Sequence, residues 1–307
     1  MYRFKNLVVG MTVGAKDRAK IQYAGLVSWL ALSETITFTH VLSTDEFIKS
    51  GKSQQLAIEE CKSVMEAVVQ RYYDGRPETK LSYEVLPESP LIEIELLRHF
   101  KEKEADLVVL GRIRGEFTAE ATLPVKLSRK APGSVLFVPE EAAPHRKRPN
   151  EINLLVPVDF SENARDAMEL ALDFAAAHEI PSIRCVHVYD VPLGYYKRGK
   201  SYEEFSVIMA KNAENRCREF LGELNLKGVF VQPLMVRLEK KVFEIIDSMV
   251  RAHGIDLIII GSHHKKRAAR LLLNSVTEQL IRKAPAPLLA VRRMGKGMSF
   301  LEALLRL

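Results

Sequence analysis

The sequence is expected to fold as α/β, in two tandem doubly wound domains, each a five-stranded parallel sheet sandwiched by helices. Three observations carry this expectation. The chain says nearly the same thing twice: NLVVGMT (6–12) returns as NLLVPVD (153–159), Thr39-His40-Val41 as Val186-His187-Val188, and DLVVLG (106–111) as DLIIIG (256–261). Arg129-Lys130-Ala131-Pro132 returns unchanged at 282–285. A period this long marks a duplicated domain, since solenoid units run only to roughly 20–50 residues. The strand-like runs are also apolar without alternation, the mark of strands buried on both faces of a parallel sheet. These runs alternate with amphipathic stretches of helical length, as in a βα-repeating sandwich.

Taken in order, the first copy places strands near 4–10, 35–42, 80–86, 105–111 and 134–138. Its helices fall near 17–33, 54–73, 90–103 and 123–130. The second copy places strands at 152–158, 183–189, 229–236, 255–261 and 287–292, with helices at 162–178, 202–223, 239–253 and 276–283. Two helix starts are signed by capping boxes, Ser201-x-x-Glu204 and Ser275-x-x-Glu278. The expected division is a first domain over 1–139, a linker over 140–150 and a second domain over 151–293. The linker EEAAPHRKRPN is polar, holds two prolines and lies where the repeat ends. A tail at 294–307 has no counterpart in the first copy. Its Phe300, Leu301, Leu304 and Leu305 make one apolar helical stripe, fit to pack on its own chain or on a second copy.

The 307 residues suit two domains of about 150 each. With 47% hydrophobic and 27% charged residues, the composition is that of an ordinary globular protein. A net charge of +6 permits an anionic ligand but is too mild and too dispersed for a nucleic-acid surface. Cys61, Cys185 and Cys217 form no CxxC pair, so reduced thiols and a cytoplasmic location are expected. The N-terminal MYRFKNLVVG runs into a strand rather than a cleavable leader. No apolar run reaches the roughly 18–20 residues of a membrane span, so no membrane partner is expected.

Ligands of doubly wound sheets sit beyond the carboxyl ends of the strands, where the strand order reverses. Gly261 ends an apolar strand there and permits close backbone approach to a ligand. Ser275 opens the next helix, whose free N–H groups favour phosphate. Lys265, Lys266, Arg267 and Arg270 add positive charge between them, and Asp159 stands at the carboxyl end of the domain's first strand. A plain strand–loop–helix with a solvated basic loop is the alternative reading of these residues.

Together these residues resemble the universal stress protein family in its tandem two-domain form, over almost the whole chain except the tail. That family opens with a strand ending in Asp, continues with a His-Val strand, and closes its fourth strand into a G-x2-G-x9-G-[S/T] loop. Here the matches are Val156-Pro157-Val158-Asp159, Val186-His187-Val188, and then Gly261, His264, Asn274 and Ser275. The resemblance implies an adenine-nucleotide-alpha-hydrolase-like fold and non-catalytic binding of ATP or another adenine nucleotide, with or without Mg²⁺. It implies Asp159 and Val188 at the adenosine end, Gly261, His264, Asn274, Ser275 and Val276 at ribose and phosphates, and Pro157 as a further nucleotide-binding residue. His264 and Asn274 depart from glycine; Asn tolerates a left-handed backbone better than most residues. The family reading also implies an intrachain pseudo-dimer, a possible homodimer and regulated contact with an unidentified protein partner. The first copy is expected to be degenerate, with Thr12 for the Asp, Gly10 for the Pro and a shorter loop after Gly111.

Two other function classes stay open: a nucleotide-free scaffold acting through protein contacts, and a slow ATPase. GYYKRGKS (194–201) satisfies the P-loop pattern. It lacks a direct exit from the strand and a Walker-type Asp, and Gly51-Lys52-Ser53 repeats its end, so a loop followed by a helix cap is the simpler reading. His40 and His187 recur at matched strand positions among apolar neighbours, which points to histidines satisfied by the fold. His263 and His264 have no Cys or acidic partner nearby, and no metal site is expected.

Overall fold

The computed structural model describes residues 4–87, 89–112, 123–124, 126–127, 130–142, 147–193, 199, 201–262 and 276–292. The chain divides into two compact units, one within Tyr2–Arg146 and one over Lys147–Val291.

In the first unit the strands are β1 (Asn6–Gly10), β2 (Thr35–Val41), β3 (Lys80–Leu86), β4 (Leu107–Arg112) and β5 (Ser134–Pro139). They pair in parallel in the order β3-β2-β1-β4-β5. The second unit repeats this with β6 (Leu154–Pro157), β7 (Ser182–Tyr189), β8 (Phe230–Arg237), β9 (Leu257–Gly261) and β10 (Leu288–Val291). Its order is β8-β7-β6-β9-β10, again parallel. Both units therefore have the expected doubly wound form. The order reverses between β1 and β4, and between β6 and β9.

The unalternating runs are buried as expected. Leu7, Val8 and Val9 of β1 and all of β9 are buried. β8 is half-exposed and carries Pro233, which a strand with one unpaired side accommodates. The helices are Arg18–Ala31, Thr44–Ser50, Gln54–Tyr72 and Ile92–Glu102 in the first unit. In the second they are Glu162–His178, Tyr202–Gly222, Val242–His253 and Val276–Lys283. The 162–178 helix packs across β6 and β9, the 202–222 helix on β7 and β8, and the 242–253 helix beside 276–283. The 44–50 helix is an addition to the sequence reading. Its signal was present as Ser43-x-x-Glu46, a capping box in which Ser43 Oγ accepts the Glu46 N–H. Gly51, at φ +62°, stops that helix and Ser53 caps the next, so Gly51-Lys52-Ser53 is a helix stop followed by a start.

The repeated Asp of the fourth strand ties that strand to the first. Asp106 Oδ2 accepts the N–H groups of Lys5 and Asn6 at 2.8 and 3.0 Å. Asp256 Oδ2 accepts the Asn153 N–H at 2.8 Å and pairs with Lys147 at 2.7 Å. Each backbone N–H is an obligatory donor, so losing the carboxylate orphans one at the start of the central pair. Asp256→Ala is expected to cost about 1.5–3 kcal/mol, the range for hydrogen bonds to a charged group. Lys147→Ala, at an exposed amine, should cost under about 0.5 kcal/mol. Urea unfolding of the two variants measures both; equal costs would show that the ion pair, rather than the backbone clamp, carries the effect.

Candidate functional site

The exit from β6 is a tight turn. The Val158 N–H continues the ladder to the Val186 carbonyl at 2.8 Å, and Asp159 Oδ1 then accepts the Ser161 N–H at 3.0 Å. Phe160, between them, is left-handed at φ +62°. A bulky residue there costs on the order of 1–3 kcal/mol. The ring has three close partners: His187 lies 4.3 Å away and Phe220 5.7 Å away between centroids, with the Arg216 guanidinium 5.0 Å from its centroid. Aromatic and cation–π contacts of about 0.5–1.5 kcal/mol each offset a strain of that size. Ser161 Oγ caps the 162–178 helix by accepting the Ala164 N–H.

That helix passes so close to β9 that a Cβ on Gly261 would lie 2.1 Å from the Asn163 carbonyl oxygen. Glycine at 261 is thus demanded by the helix backbone, a reason the sequence reading had assigned to a ligand. The first strand and the fourth separate beyond this contact, and a cleft of roughly 340 Å³ opens. Pro157, Asp159, Val188, Gly261 and Val276 all line it, so five of the residues named from sequence converge. His264, Asn274 and Ser275 lie outside the described residues, as do the four basic residues of that loop, most of 194–200 and the 294–307 tail. The sequence reading missed Ser161, Ala164, His187, Val242, Ile246 and Thr277, which also line the cleft. Val242 and Ile246 were legible only as one apolar face of a helix; nothing local says which cavity such a face meets.

The walls divide by chemistry. Val158, Val186, Val188, Val242, Ile246 and Ile260 are apolar, while Asp159, Ser161 and Thr277 are polar. Asp159 is exposed and Ser161 and Thr277 are half-buried, so the polar wall is open to solvent. His187 Nδ1 lies 2.8 Å from the Val158 carbonyl, which can only accept, so Nδ1 carries the proton. His40 Nδ1 meets the Met11 carbonyl at 3.0 Å in the same way. Both histidines are satisfied by the fold, and neutral His187 keeps Nε2 as an acceptor. Among the described residues no group of three His, Cys, Asp or Glu side chains is arranged to hold a metal. No helix among them is long and apolar enough to cross a membrane.

Burial pushes the His187 imidazole below its ordinary value; the Val158 carbonyl and Asp159 oppose that shift, and Arg216 adds to it. A depressed histidine favours the neutral folded form. Its contribution to stability is complete above the ordinary histidine pKa and is lost as pH falls toward the lowered one. A ¹⁵N NMR titration of the imidazoles should find His187 titrating below free histidine, with its proton on Nδ1 at neutral pH. A titration at or above the free value would refute this.

Comparison with known proteins agrees with the geometry. Residues 153–292 match the sequence profile of the universal stress protein family. Universal stress protein MJ0577 of Methanocaldococcus jannaschii is 30% identical over 154 residues, which are 46% of this chain and 94% of that protein. Two solved structures match nearly the full length. A universal stress protein of Archaeoglobus fulgidus has a TM-score of 0.60 at 15% identity, covering 95% of this chain and all of that one. A Pseudomonas aeruginosa protein of unknown function has a TM-score of 0.62 at 12% identity, covering 94% and 92%. At these identities the two structures speak for the fold alone.

Proposed function

Because this chain belongs to the universal stress protein family, we propose that its second unit binds ATP or a related adenine nucleotide without turning it over. Occupancy would then control contacts with a partner. The observation that carries the reading is the cleft beyond β6, β7 and β9, apolar within and polar at its mouth. Ligand pockets span about 300–1,000 Å³, so a cleft of roughly 340 Å³ suits a nucleoside rather than a whole triphosphate. The base and ribose would sit inside against Val186, Val188 and Ile246. The phosphates would run out toward the 276–283 helix, whose first turn offers backbone N–H groups and the Thr277 hydroxyl. Asp159 would accept hydrogen bonds from the nucleoside, and Val188 would contribute its backbone. Pro157 and Gly261 would shape the walls, with His264, Asn274, Ser275 and Val276 at ribose and phosphates.

Calorimetric titration with ATP, with and without Mg²⁺, tests this. One nucleotide per chain is expected. Asp159→Ala should weaken it about tenfold, the equivalent of one hydrogen bond of roughly 1.4 kcal/mol. Filling the cleft with Ala164→Phe should abolish it. A folded wild-type chain that gives no ATP heat would refute the proposal, and single-turnover release of phosphate would convert it into an ATPase.

A further inference from the structure

The repeat supplies an internal control for the cleft. Aligned on it, Asp17 stands where the second unit has Ala164, and Lys20 where it has Ala167. Both charged side chains are inside: Asp17 is 0% and Lys20 3% exposed. Lys20 Nζ lies 2.5 Å from Asp17 Oδ1 and 2.7 Å from the Gly10 carbonyl. Lys20 Cδ would lie 3.0 Å from a Cβ on Gly111. The Asp17 carboxylate accepts the Thr12 N–H at 3.0 and 3.1 Å, the Thr12 hydroxyl at 3.0 Å and the Gly14 N–H at 3.0 Å. Gly10, Thr12, Gly14 and Gly111 are the matches of Pro157, Asp159, Ser161 and Gly261, which all line the second unit's cleft. One ion pair thus touches four matched walls at once.

Burying two charges carries a desolvation penalty that apolar side chains of similar volume avoid. The second unit does without the pair, with buried alanines at both places. What the pair supplies and alanine cannot is bulk and charge in the space beyond the first and fourth strands. Its side chains fill the space that the second unit leaves open between Pro157, Asp159, Ser161 and Gly261.

We infer that Asp17 and Lys20 act as a built-in ligand: they occupy in the first unit the place that an anionic small molecule takes in the second, and so keep the first unit closed. This rests on reading the second unit's cleft as a ligand site. Burial alone would raise the Asp17 carboxyl, but Lys20 and the Thr12 and Gly14 hydrogen bonds outweigh it and hold the group below its ordinary value. The Asp17 carboxylate therefore stays charged through the neutral range.

The test compares ATP titrations of the full wild-type chain and of the Asp17→Ala/Lys20→Ala variant. Trp29, the single tryptophan, shares the 18–31 helix with Lys20 and reports on the first unit. The variant is expected to bind one more ATP per chain than wild type, and ATP should change Trp29 emission in the variant alone. A variant that melts cooperatively yet binds no more ATP than wild type overturns the inference and leaves the pair as a clamp on the β1 turn. The reading of the second cleft is judged separately, by whether wild type binds ATP at all. Should the double variant not fold, the reciprocal change decides: Ala164→Asp/Ala167→Lys should remove wild-type binding at least a hundredfold, and a folded reciprocal variant with undiminished affinity overturns the inference.

Discussion

Each unit is organised by the pairing of its first strand with its fourth. The strand order reverses across this pair, and ligands of such sheets sit beyond the carboxyl ends of the strands at that point. The pair is secured at its start by the carboxylates of Asp106 and Asp256, which hold backbone N–H groups of the first strand. It is secured near its end, in the second unit, by the 162–178 helix lying against Gly261. Between those two points the strands are paired; beyond the second they part and the cleft opens.

The same backbone then carries two different fillings. Both copies leave the first strand through a left-handed residue, Val13 at φ +55° and Phe160 at φ +62°. Both hold the turn across that residue with a carboxylate, from Asp17 in one case and Asp159 in the other. Both set a histidine of the second strand against the carbonyl that precedes the turn. The divergence lies one helical turn further on, where a buried ion pair faces two buried alanines. The two copies thus share the left-handed residue and a carboxylate clamp, and differ at Gly10/Pro157, at Thr12/Asp159 and in what stands behind the turn.

Strain and aromatic packing are matched at this turn. The Phe160 ring packs near His187, Phe220 and Arg216, so the residue with the unfavourable backbone also has several ring contacts. Neutral His187 is part of the same arrangement. Its Nδ1 proton ties the second strand to the turn, and charging the ring would place a cation beside the Arg216 guanidinium.

Much of this was legible in the chain itself. The repeat and the unalternating apolar runs determined the strands, their parallel pairing and the class of fold, because a strand buried on both faces has no polar position to spare. Ser201-x-x-Glu204 marked one helix start, and Ser43-x-x-Glu46 carries the same signal for the 44–50 helix. Pro157, Asp159, Val188, Gly261 and Val276 were nameable because they stand at strand ends, where local pattern and site coincide. Tertiary structure alone decided the rest. That Val242, Ile246 and Ala164 face the cleft depends on how helices lie against the sheet. That Gly261 serves the Asn163 backbone depends on a contact almost a hundred residues away in sequence. That Asp17 and Lys20 meet inside the first unit depends on burial, which a helix-spaced charge pair on an ordinary surface would not signal. Local periodicity specifies which face of an element is apolar; only packing specifies what that face, or a charge upon it, comes to meet.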